Sequence, residues 1–148
     1  MKKPIICTVI VVAISLLVLT GFFVSGGCRF KVTPDTTISD VKVCTSLKGN
    51  LCNQENLVFS ITTQTIYASC LLKNSPSKTR VKFTWIYHGE TKVIMDSAVL
   101  ITGGTQGNIE INSILSQPIN GWSKGTYEVM IQLETDSANP LIKQFSIK

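Results

Sequence analysis

The chain has 148 residues with 14 basic and 9 acidic side chains, a formal net charge of +5 and a single histidine. One histidine excludes a polyhistidine metal centre, and the cysteines do not have the paired CxxC spacing a zinc site needs. The basic residues are spread out; the densest stretch, Lys73, Lys78, Arg80 and Lys82, surrounds a turn signal and reads as a solvated loop rather than a nucleic-acid surface.

Lys2 and Lys3 form a positive start, and no charged residue occurs from Ile5 to Val24. That order reads as an export signal. A 20-residue helix spans roughly 30 Å, the thickness of a hydrocarbon core, so the segment is long enough to stay as a transmembrane anchor. Cleaved signals have shorter apolar cores, about 7–15 residues. The run ends in Ser25-Gly26-Gly27-Cys28. This end resembles the lipobox of bacterial lipoproteins, with Gly27 and Gly26 as the small residues and Ser25 where most members carry leucine. The resemblance implies that Cys28 is lipidated as the mature N-terminus, held by several acyl chains, and that Arg29 after it favours the outer membrane where the host has one. One chain binds a bilayer marginally and two or more anchor stably. A retained single-pass helix is the alternative, and a secreted soluble protein the third. In each case the lysines stay inside and the domain is exported.

Residues 1–27 are thus read as signal peptide or transmembrane anchor, 28–36 as a tether, and 37–148 as one domain. Five cysteines need places. Cys7 lies in the apolar run and Cys28 at the anchor. Cys44, Cys52 and Cys70 remain, an odd number for an oxidising compartment. Cys44 and Cys52 flank Lys48-Gly49-Asn50, a turn signal. A bridge there closes a short loop, worth roughly 2–3 kcal/mol in the chain-entropy model, and leaves Cys70 as a buried thiol. Cys44–Cys70 is the other pairing the spacing allows.

Beyond the tether the apolar period is two. Ile38, Val41 and Val43 begin it, Leu57–Ile61 follows the cysteine loop, and Thr65–Leu72 is a strand ended by Asn74-Ser75-Pro76-Ser77. From Thr79 to Tyr87 the residues Val81, Phe83, Trp85 and Tyr87 share one face. His88-Gly89-Glu90 turns into Lys92–Met95, then Ala98–Ile101, Gly103-Gly104, and the alternating Asn108–Ile111. Gly121–Gly125 is a corner that launches Tyr127, Val129, Ile131 and Leu133 on one face. Asn139-Pro140 reverses the chain, and Leu141–Ile147 closes it. Seven or more short strands with turns every 8–12 residues predict an all-β fold, an antiparallel β-sandwich of about 7–9 strands.

Cys70 and Trp85 stand 15 residues apart, and Gly125-Thr126-Tyr127-Glu128-Val129 resembles the tyrosine corner of immunoglobulin domains, with Val129 at the second cysteine's place. That resemblance implies an immunoglobulin-like sandwich without the inter-sheet bridge, Cys70 packing on Trp85 and Val129, and the Tyr127 hydroxyl bonded to corner backbone. From Phe59 through Trp85 to the Gly121–Val129 corner the chain also resembles single-domain bacterial lipoproteins with immunoglobulin-like sandwiches. That likeness carries no ligand.

Chemistry is sparse. His88 lies in a turn; Asp96 and Cys70 are its nominal partners, and Cys70 falls on a core position. Glu110, Glu128, Glu134 and Asp136 fall on outward positions, read as solvated. Gly103-Gly104 and Gly107 lead into a strand, so no helix N-terminus cradles a phosphate. Trp122 either covers the end of the core or, if exposed, contacts a partner or sugar. The expectation is a non-enzymatic, membrane-tethered envelope protein that binds another protein or cell-wall polymer through loops or a sheet edge, with no metal, no cofactor and no nucleic acid. The alternative is a thiol-dependent redox or enzymatic protein using Cys44, Cys52 or Cys70.

Overall fold

The computed structural model describes residues 35–134 and 139–148. The apolar segment, Cys28 and most of the tether lie outside these residues. Among the described residues no helix is long and apolar enough to cross a membrane.

Ten strands form an all-β domain: β1 (Thr37–Cys44), β2 (Leu47–Lys48), β3 (Leu51–Cys52), β4 (Val58–Phe59), β5 (Thr65–Ser75), β6 (Arg80–His88), β7 (Lys92–Ile101), β8 (Gly107–Ser116), β9 (Gly125–Leu133) and β10 (Leu141–Ile147). One sheet has the order β1-β5-β8 and another β4-β10-β9-β6-β7, with β2-β3 a separate hairpin. The expectation of a purely antiparallel fold is corrected at one place. β4 runs parallel to β10, pairing Val58 with Ser146 and Phe59 with Ile147.

Period-two patterning places the core. Ile66, Ala68, Cys70 and Leu72 of β5 and Val81, Phe83 and Trp85 of β6 are fully buried, joined by Tyr127, Val129 and Ile131 of β9. Both sheets contribute to this single cluster, and burial of such aliphatic and aromatic side chains is the main force holding them together. Phe145 of β10 is the hub of an aromatic group, with ring centroids 5.4 Å from Phe59, 6.1 Å from Trp85 and 5.5 Å from Tyr127.

Three bulges bend the strands. On β1, Asp40 and Val41 together lie opposite one residue of β5, and Asp40 has φ 52°. This explains the three-residue step from Ile38 to Val41 in an otherwise alternating strand. On β5, Lys73 and Asn74 together lie opposite the single residue Asn108 of β8, and Asn74 has φ 54°. Asp and Asn tolerate this left-handed region better than other side chains. On β7, Met95 is the inserted residue between the pairs Trp85–Asp96 and Ile86–Ile94. Lys92–Met95 and Ala98–Ile101, which read as two stretches, are therefore one strand.

The hairpin turns at Gly49-Asn50, where only Gly49 has positive φ (66°), the pattern of a type II′ turn. It covers the outer face of the three-stranded sheet. Cys52 N–H donates to Ser69 Oγ at 2.8 Å, and Asn112 Nδ2 donates to Asn50 Oδ1 at 3.3 Å. The chain then returns to β1 through Asn56 N–H to Val43 O at 2.8 Å, and crosses to the five-stranded sheet, where Leu57 O accepts from Ser146 N–H at 2.9 Å.

Candidate functional site

The sequence-nominated residues fall into one structural set. Cys44 and Cys52 form a disulfide, with 5.7 Å between their Cα atoms, at the point where the chain leaves one sheet for the other. Both are buried. Cys70 is free and fully buried, and burial pushes its thiol up to about 12. The thiolate is the nucleophilic form, so a thiol held there supplies none at neutral pH. Trp85 donates Nε1–H to Ser113 Oγ at 3.1 Å, and Val129 is its cross-strand neighbour. Tyr127 donates its hydroxyl to Ser123 O at 2.8 Å. Burial raises that phenol, Tyr87 adds to the rise, and the Ser123 bond opposes it.

Trp122 is 7% exposed. Its ring meets Tyr127 edge-on at 5.9 Å, and its Nε1–H donates to Thr63 O. The indole thus faces the core. What it does for the surface is indirect, because it ties the Ser60–Gln64 loop to the Ser116–Trp122 loop. Gln117 N–H to Gln64 O at 2.9 Å and Gln117 Nε2–H to Ile61 O at 2.7 Å complete that tie.

One polar cluster was not foreseen. Glu128 points to the outer face of the five-stranded sheet, between Ile86 and Gln144, yet is only 5% exposed, which corrects its reading as solvated surface. Its Oε2 lies 2.8 Å from His88 Nε2 and its Oε1 3.8 Å from Lys92 Nζ. His88 Nε2 is buried and makes no aligned hydrogen bond, so the approach is a charge contact that exists in full only with imidazolium. No sequence signal marks it, because His88, Lys92 and Glu128 come from three strands. The cluster lacks a nucleophile paired to the base, and Asp96 is not among His88's contacts. Among the described residues no three His, Cys, Asp or Glu side chains converge as metal ligands.

The same outer face carries the clearest surface feature. Ladder pairs line up Ile94 with Ile86, Val99 with Lys82, Ile101 with Arg80, and Ile142 with Met130. Ile94 is 66% exposed, Ile101 58%, Ile142 53% and Val99 39%. Ile86 and Met130 between them are half-buried. The bulge at Met95 is what sets this face, by moving Ile94 onto the same side as Val99 and Ile101. Strict alternation from Ile94 would have put it on the opposite side. The row is bounded by the Arg80–Glu134 ion pair at one end and by His88, Lys92 and Glu128 at the other.

No protein-family model matches the chain, and no curated protein matches it by sequence. Among solved structures it is similar to part of the alkylpurine DNA glycosylase AlkC of Pseudomonas fluorescens bound to DNA containing an abasic site analog, at 13% identity and TM-score 0.46 over 76% of this chain and 30% of that one. It is similar to part of β-glucosidase 3B of Thermotoga neapolitana, in complexes with glycerol and with glucose, at 16% identity and TM-score 0.44 over 76% of this chain and 16% of that one. The chain spans less than a third of either protein, and similarity of this degree assigns neither a fold family nor a function.

Proposed function

We propose that the chain is a membrane-tethered cell-envelope protein whose non-catalytic immunoglobulin-like domain binds a protein or cell-wall partner. The observation that carries the binding role is the row of exposed aliphatic side chains, Ile94, Val99, Ile101 and Ile142, on the outer face of the five-stranded sheet. Scattered apolar residues are ordinary on a surface. What supports an interaction site is that these four share one sheet face, with half-buried Ile86 and Met130 between Ile94 and Ile142, although Ser97, Lys82 and Arg80 interrupt the run on β7 and β6.

The immunoglobulin-like assignment is supported by strand order. With β5 as strand B, β8 is E in the same sheet, while β6, β9 and β10 are C, F and G in the other and β7 is C′. Trp85 on strand C and the Tyr127–Ser123 bond at the start of strand F fit the same scheme. An extracytoplasmic location is supported by the Cys44–Cys52 bridge, since disulfides persist outside the cytosol. Tethering rests on the apolar segment and Cys28, by lipid or by a retained helix. The alternative role for the cysteines is disfavoured by the burial of all three.

Two measurements test the reading. Mass spectrometry of the mature N-terminus reads an acylated Cys28 for a lipoprotein and an intact Met1 for a retained helix; an unacylated chain cleaved of its apolar segment rejects tethering. Capture of envelope components by the full-length wild type, lost in the Ile94→Glu/Ile142→Glu variant with its circular dichroism unchanged, supports binding through this face. Equal capture by both, or none by either, overturns it.

A further inference from the structure

Four strands border the two sheets: β1 and β8 in one, β4 and β7 in the other. A long flat border strand offers unpaired N–H and C=O groups to any other strand, and natural sheets blunt it with short length, bulges, lysine or proline. Three of these borders are blunted. β4 has two residues, β1 carries Lys42 and the Asp40-Val41 bulge, and β7 carries Lys92 and the Met95 bulge.

β8 has none of these devices. It pairs with β5 in unbroken register from Ile109 to Ser116, contains no proline or lysine, and its other edge is unpaired among the described residues. Ile109 and Ile111 pack against the core but are only partly buried. The strand's single charge, Glu110, is exposed and forms no ion pair among the described residues; its Oε2 accepts only Asn50 N–H at 3.4 Å.

We propose that the free edge of β8 is a docking site for an extended strand of a partner protein. Main-chain hydrogen bonds would supply affinity, aliphatic side chains over Ile109 and Ile111 would extend the core, and a lysine or arginine opposite Glu110 would set the register. A second copy of β8 fits less well, because that strand has no cation to bring to Glu110. The site goes beyond the reading above: it lies on the other sheet and works by strand addition rather than by apolar side chains on a sheet face.

Two fluorescein-labelled nonapeptides of alternating valine and threonine, one with a central lysine and one with a central glutamate, are titrated with the full-length protein in detergent micelles. Anisotropy reads affinity, and hydrogen–deuterium exchange reads location. The lysine peptide binds about two- to fivefold tighter, the effect of one cross-strand ion pair, exchange slows within Gly107–Ser116, and Glu110→Lys inverts the preference. Glu110 is exposed, so the substitution leaves the core intact. Binding of neither peptide, a preference unchanged by Glu110→Lys, or slowed exchange on β7 instead of β8 overturns the proposal. Capture that Ile94→Glu/Ile142→Glu abolishes would stand even then, so the two readings fail separately.

Discussion

Trp85 on the five-stranded sheet donates its indole N–H to Ser113 Oγ on the three-stranded sheet, 3.1 Å away and inside the core. The bond satisfies a donor that would otherwise be buried without a partner, and it fixes how β6 sits against β8. Ser113→Ala leaves that N–H unpaired, at a cost of about 1–3 kcal/mol. Urea denaturation is expected to show a lower midpoint with an unchanged slope. Combined with Trp85→Phe, which removes the donor, the loss should be smaller than the sum of the two single losses, since the residues are directly coupled.

The Cys44–Cys52 bridge closes a loop with a sequence separation of 8. Its entropic contribution is about 2–3 kcal/mol, and the Cys44→Ala/Cys52→Ala variant should lose that much. The variant should still fold, because β2–β3 is also held by Cys52 N–H to Ser69 Oγ and by Asn112 to Asn50. Both sulfurs are buried, so reductant is expected to reach the bridge in urea but not under native conditions. Thiol counting by mass spectrometry in the two states checks this; ready reduction in the folded state would contradict it.

Much of the fold was legible because strand β6 and the Tyr127 corner obey simple rules. Val81, Phe83 and Trp85 alternate without interruption, and the Gly49-Asn50 turn brings Cys44 and Cys52 within bridging distance. What was not legible follows from bulges and from contacts between distant strands. One inserted residue at Met95 reverses the facing of everything before it on β7, so the Ile94–Val99–Ile101 row could not be placed from alternation. β4 has too few residues to show a period, and its parallel partner is nearly ninety residues away. The burial of Glu128 depends on neighbours from three strands, which no local pattern encodes.

The β5 bulge depends on a residue that tolerates positive φ. Asn74 sits at 54°, in the left-handed region. Asn74→Ala is expected to destabilise by about 1 kcal/mol, because Cβ crowds the carbonyl there and alanine offers no local polar compensation. Asn74→Gly should be at least as stable as that alanine variant despite glycine's greater freedom in the unfolded chain. Thermal melts of the pair decide it; alanine equal to or above glycine would mean the bulge relaxes.

Cys70 gives the domain a pH dependence of defined sign. Burial raises its thiol to about 12 in the folded protein, while an unfolded cysteine titrates near 8.5. The folded state therefore keeps a proton the unfolded state has released. The associated stability is fully present below the unfolded value and falls as pH rises from there toward the folded one, by up to about 1.4 kcal/mol per pH unit. Cys70→Ala loses packing at every pH but lacks this slope. The stability difference between wild type and Cys70→Ala should thus shrink progressively above about pH 8.5. Urea midpoints between pH 7 and pH 10 measure it, with Tyr127 cancelling because both proteins contain it. A constant difference across that range would mean the thiol is not desolvated as its burial in the core requires.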